Sequence, residues 1–283
     1  MARTVLHIGA HKTATTYLQK KLAINRELLA SRGVHYDPLD VFRKNFTFHL
    51  HELSRQATPY LEELRGLIGR QDVLLSDENI IGVPGDLVRS GVYYAHAHER
   101  VGEVCGLLKT DRPEIFMAMR EYSTFIVSMY SEYIRHREFI DFPEYFELYK
   151  ASNFSWIKVM DDIVSAAPNA TIYLWDFANF RAAEPEVLSK MVGFDSAVME
   201  APEGPVRESF SEPAMRAFRA LSEVLSHREM KKLIGPIARS LPKGEMHAAF
   251  SPMAPDLIET LKAQYKADFE TIRTRFPKIT VIG

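Results

Sequence analysis

"VLHIGAHKTATTYLQ", residues 5–19, decides the fold. Apolar Val5, Leu6 and Ile8 run into Gly9, and Lys12 stands three residues further on. Thr13, Ala14, Thr15 and Thr16 follow, and then Tyr17, Leu18, Lys21 and Leu22 recur at a helical spacing from Thr15 onward. A buried strand, a polar turn and a helix in that order bring successive backbone N–H groups and the positive end of a helix to one spot. Lys12 adds a full charge and the threonines add hydroxyl donors, so the turn is a cradle for an anionic group; Thr13 or Thr15 suits the helix N-cap. The phosphate loop of nucleoside triphosphatases, G-x-x-x-x-G-K-[ST], sets its lysine directly after a second glycine. Here His11 precedes Lys12, and the short span from Gly9 lacks the length and the flexible second glycine that wrap a triphosphate.

Outward from this loop, strands alternate with helices. Val73–Leu75 within "DVLLSDENIIG" (residues 72–82) reads as a second strong strand that runs into a polar turn, "EIFMAMRE" (114–121) as a buried strand that ends at Arg120, "ATIYLWDF" (170–177) as another strand, Val34–Tyr36 as a short one, and "ITVIG" (279–283) as a final one. Helical patterns stand between them, and residues 208–275 read as mainly helical, broken by Pro236, Pro242, Pro252 and Pro255. This alternation predicts an α/β fold: a P-loop-type doubly wound parallel sheet flanked by helices, with a mainly helical C-terminal third, as one domain over residues 1–283. In such a sheet the ligand site lies at the carboxyl ends of the strands.

The bulk composition narrows the function classes. A net charge of -2 supplies no basic field for nucleic acid. The single cysteine, Cys105, excludes an internal disulfide and a cysteine metal cluster and reads as a core residue. No stretch approaches the roughly 18 apolar residues of a membrane span. The N-terminus runs straight into a strand with no signal-peptide pattern, and the expectation is a cytoplasmic protein.

Lys12-Thr13-Ala14-Thr15-Thr16 resembles the phosphosulfate loop of sulfotransferases, K-[ST]-G-T-T after a first strand. Ala14 departs from the family's glycine, and its methyl group calls for a negative φ. The second element of the resemblance is "FMAMREYSTFIVSMY" (116–130): the family holds its donor's 3′-phosphate with a strand-end arginine and a serine eight residues later, here Arg120 and Ser128. Over roughly residues 4–180 the chain resembles the bacterial branch of that family. The resemblance implies 3′-phosphoadenylyl sulfate (PAPS) as donor, with adenosine 3′,5′-bisphosphate as product and no metal. It places Gly9, His11, Lys12, Thr13, Ala14, Thr15, Thr16, Arg120 and Ser128 around the donor. Arg207 reads as a surface arginine that could add a cationic contact.

By analogy with phosphoryl transfer, Lys12 faces the leaving oxygen, and the acceptor hydroxyl needs a base near the line of attack. Glu78, just past the Val73–Leu75 strand, is the first candidate, and Asp77 competes with it, because side chains alternate and one of the two faces the cleft. Their alternative use is as turn and helix-cap acids. His49 and His51 rank second as bases, His96 and His98 below them, and His7 packs in the first strand. Tyr93, Tyr94, Tyr133, Phe139 and Phe142 fall near the expected mouth, where they would line an acceptor cleft unless core packing claims them. The family's bacterial branch points to a small-molecule or glycan acceptor, carbohydrate or lipid-linked. Two other readings stay open: a P-loop kinase or nucleotide hydrolase, for which "DVLLSDE" offers a strand with an acidic end, and a nucleotide-binding module that has lost transfer, which Ala14 favours.

Overall fold

The structure is a computed structural model and describes residues 2–203 and 209–283. Six strands form one sheet: β1 (Thr4–Gly9), β2 (Val34–Tyr36), β3 (Asp72–Ser76), β4 (Glu114–Met119), β5 (Thr171–Asp176) and β6 (Ile279–Ile282). Their order is β2-β3-β1-β4-β5-β6, and every neighbouring pair is parallel. The sheet is therefore the doubly wound α/β architecture that the alternation of apolar runs predicts.

Parallel strands need cover on both faces, and their sequences show it as near-continuous apolar runs. Along β1, Leu6 and Ile8 enter one core with Leu75, Ile115, Met117 and Leu174, beneath the helices Ala97–Leu108, Tyr122–His136 and Trp156–Ala166. Val5 points the other way, into a second core with Leu74, Phe116 and Trp175, covered by the helices Thr15–Ile24 and Phe180–Val192. From β1 the chain builds β2 and β3 on one side and then crosses to β4 on the other. The winding thus reverses between β1 and β4, and the crevice of a doubly wound sheet opens at that point.

The C-terminal third contains the helices Glu212–Ser222, His227–Ser240 and Pro255–Arg275 before the chain returns to add β6 at the sheet edge. Pro242 and Pro252 fall in the break between the last two helices, as the sequence predicts, but the other two prolines act differently. Pro236 lies inside the His227–Ser240 helix, and Pro255 opens the last helix at its first turn, where its missing N–H costs nothing.

His7 lies fully buried in β1, with Nδ1 at 2.7 Å from Ser76 Oγ and its ring stacked on Trp175. Burial pushes its pKa from 6.5 down to about 4, against a smaller opposing pull from Glu78. In the unfolded chain this ring takes a proton at higher pH than in the fold, so its contribution is complete above pH 6.5 and is lost as pH falls toward 4. The expected loss is on the order of 3 kcal/mol. Urea unfolding followed over this pH range will show the slope, and His7→Asn will flatten it.

Candidate functional site

The turn after β1 is built by its backbone. Gly9 takes φ +104°, and a Cβ on it would come within 2.8 Å of the Glu78 Cβ, so glycine is required here both by conformation and by the approach of the β3 end. Lys12 and Ala14 both lie in the left-handed region, at φ 62° and 63°. This corrects the expectation of a negative φ at Ala14: the alanine occupies the glycine-like conformation that the loop demands. It also corrects the cap. Ala14 itself is the N-cap residue, whose methyl group makes no side-chain bond, and the Thr13 hydroxyl donates instead to the Ala10 carbonyl at 2.6 Å. A non-glycine residue in this region carries a steric cost of about 1 kcal/mol. Ala14→Gly is therefore expected to raise unfolding stability by about that amount in urea titration.

Each loop side chain finds a distinct place. Thr15 is buried, while Thr16 is exposed and borders a cavity of about 1040 Å³. His11 borders the same cavity, but both ring nitrogens are engaged, Nδ1 with the Tyr94 hydroxyl at 3.1 Å and Nε2 with Asn79 Oδ1 at 3.0 Å. The Lys12 ammonium sits 3.2 Å from Glu132 Oε2. Burial lowers its pKa below the ordinary lysine value, with Glu132 opposing the shift.

Arg120 directly follows β4 and reaches across the crevice to this loop: its Nη1 donates to the Lys12 carbonyl at 2.6 Å. Its guanidinium lies over the Phe177 ring, and its Nε meets Thr124 Oγ1 at 3.2 Å. Among the described residues no carboxylate lies within ion-pair distance of it, and burial pushes its pKa down to about 10. Arg120 and Ser128 border the same smaller cavity of about 330 Å³, together with Ser251 and Lys262. Glu203 borders the larger cavity and Ser209 the smaller; Arg207, between them in sequence, lies outside the described residues.

At the end of β3 the two acids separate as alternation requires. Asp77 is fully buried, caps Asn79 N at 2.9 Å, and is gripped by Arg43 through Nη2 at 2.5 Å and Nε at 3.1 Å. Glu78 borders the larger cavity; its Oε2 accepts from Gln19 Nε2 at 2.8 Å and its Oε1 lies 3.4 Å from Arg43 Nη2. Burial alone would raise the Glu78 pKa, but the charges of His11 and Arg43 and the Gln19 bond bring it below the ordinary value.

Other expected residues lie elsewhere. His49 and His51 are exposed and border neither cavity, and the same holds for His96 and His98. Tyr93, Tyr94 and Phe142 are core residues, and Phe139 borders a separate cavity; of the aromatic group named from sequence, Tyr133 borders the larger cavity. Cys105 is buried, and burial pushes its thiol up to about 11. Among the described residues, no three His, Cys, Asp or Glu side chains cluster as metal ligands, and no helix is long and apolar enough to cross a membrane.

Four residues that sequence reading missed complete the site: Gln19, Arg43, Glu132 and His136. Gln19 and Arg43 gave no local signal. Glu132 and His136 did, because they continue the face that Ser128 begins, at steps of four residues along one helix.

No family model matches the chain, and no curated protein matches it. Among solved structures, a sulfotransferase from Alicyclobacillus acidocaldarius aligns with 83% of this chain and 97% of its own, at 14% identity and a TM-score of 0.41.

Proposed function

We propose that the protein is a sulfotransferase that moves a sulfuryl group from 3′-phosphoadenylyl sulfate to an acceptor hydroxyl, carbohydrate or lipid-linked. The observation that carries this reading is the state of Arg120: a partly buried guanidinium without a carboxylate partner, fastened to the carbonyl of Lys12. Buried cations are ordinarily paired, so an arginine left open beside a lysine loop suits an anionic ligand. A doubly phosphorylated adenosine has two such ends. The residues fit it: Arg120, Ser128 and Lys262 stand at the smaller cavity, and the loop with Lys12 stands beside the larger one.

When bound, the donor supplies an activated sulfuryl group on a phosphate leaving group. Lys12 and the loop N–H groups hold the phosphosulfate end, with the Thr15 and Thr16 hydroxyls as further donors. Arg120 and Ser128 hold the 3′-phosphate, its planar fork suiting that anion. With three donor hydrogens, the Lys12 ammonium keeps Glu132 while it meets the donor. Glu78 stands where a base for the acceptor would, although its lowered pKa makes it a weak one. A magnesium-dependent kinase would use the acid at the end of β3 as a metal ligand; Asp77, the candidate for that task, is tied up by Arg43 and by a backbone cap.

Titration calorimetry is the test. Adenosine 3′,5′-bisphosphate is expected to bind without magnesium and ATP to bind far more weakly, with Lys12→Ala reducing the heat of the first. Preference for ATP with magnesium would overturn the reading in favour of the kinase.

A further inference from the structure

We infer that His136, held by Glu132, takes the acceptor's proton, an inference that rests on the sulfuryl-transfer reading above. Ser128, Glu132 and His136 line one face of the Tyr122–His136 helix; the first borders the smaller cavity, and the other two border the larger. Glu132 stands between two groups. Its Oε2 accepts from Lys12 Nζ at 3.2 Å, and its Oε1 lies 3.0 Å from His136 Nε2. A carboxylate can only accept, so a neutral His136 keeps its proton on Nε2 and carries an unprotonated Nδ1. Glu132 is held well below the usual carboxylate range: burial would raise it, but the His136 bond and the Lys12 charge outweigh that. The His136 side chain is 54% exposed, and its Nδ1 has no partner among the described residues.

Two other candidate bases of the cavity are already committed. Glu78 has both oxygens engaged, and His11 has both ring nitrogens engaged. Besides Glu132 and Arg137, which follow the same stretch of chain, the charged groups of the cavity are Lys20, Arg43, Arg89, Glu78 and Glu203. In the step itself the acceptor oxygen bonds to sulfur while its proton passes to His136 Nδ1. The bond between sulfur and the bridging phosphate oxygen breaks, and Lys12 faces the oxygen that departs with the electron pair. Glu132 then balances the imidazolium. A single carboxylate thereby orients the ammonium at the leaving side and the imidazole at the attacking side, with the division of labour seen in carboxylate–histidine catalytic pairs.

The test uses the full chain and His136→Gln. Nitrogen-15 spectra of labelled histidine, assigned by the signals missing in the variant, are expected to show neutral His136 as the Nε2–H tautomer. Calorimetry with adenosine 3′,5′-bisphosphate is expected to give affinities equal within about twofold. Sulfuryl transfer to benzyl alcohol, or to water as sulfate release, is expected to slow by about 10²–10³-fold, and transfer to 4-nitrophenol, already ionised at alkaline pH, by less than about threefold. A dominant Nδ1–H tautomer, or equal effects on ionised and un-ionised acceptors, would overturn the inference and leave the sulfuryl-transfer reading standing. A wild-type protein that neither binds the bisphosphate nor transfers sulfate would remove both.

Discussion

Arg120→Ala will bind adenosine 3′,5′-bisphosphate about 10- to 150-fold more weakly than the parent chain, the scale of about 1.5–3 kcal/mol for a hydrogen bond to a charged group. A guanidinium whose pKa burial has pushed down to about 10 is costly to keep charged, and the charge of Glu121 opposes that shift only in part, without an ion pair. What it has instead is the Lys12 carbonyl, a hydroxyl and an aromatic face. A phosphate at the Ser128 cavity supplies the missing charge. Because Arg120 also fastens the loop, Arg120→Lys is the companion variant. It keeps a cation but loses the fork, so intermediate affinity is expected, with unfolding stability near that of the parent. Undiminished affinity in Arg120→Ala would end the assignment of this cavity to the 3′-phosphate.

The distance along the chain over which each group is fixed explains what was legible in the sequence. β1, β3 and β4 are buried on both faces and β5 on most of its length, so their apolar runs are visible locally, and their alternation with helices dictates the parallel sheet. Arg120 and Ser128 could be placed together because a strand end and the next helix are geometrically coupled. Lys12 and Glu132 are 120 residues apart, and no local pattern pairs them. The same holds for Arg43, which meets Asp77 from a short helix, Leu39–Asn45, on another element. Ala14 failed differently: propensity alone assigns it a negative φ, and the closure of the turn against Ala10 and the helix start overrides that preference. His49 and His51 looked like site residues by type, but a short helical segment leaves them in solvent.

Arg43→Met should be the most destabilising change at the site, costing about 3–5 kcal/mol, because it leaves a buried carboxylate without its cation. Asp77 has no exposed surface, and once Arg43 is gone its recorded partner is the Asn79 amide. Adding Asp77→Asn to the Arg43→Met chain removes the stranded charge and should restore a substantial part of the loss, a coupling that urea titration of the four chains in a double-mutant cycle will read directly. A cost below about 1 kcal/mol for Arg43→Met would mean that the pair behaves as a surface contact. The same substitution acts on Glu78, whose pKa Arg43 helps to lower. With a depressed folded pKa, Glu78 contributes stability that is complete above its ordinary value of 4.5 and is lost as pH falls through the lower folded one. Without Arg43 the folded value rises, so this contribution shrinks and its loss on acidification finishes at higher pH. Arg43 thus holds one acid buried beneath the crevice and keeps its neighbour ionised at the cavity wall.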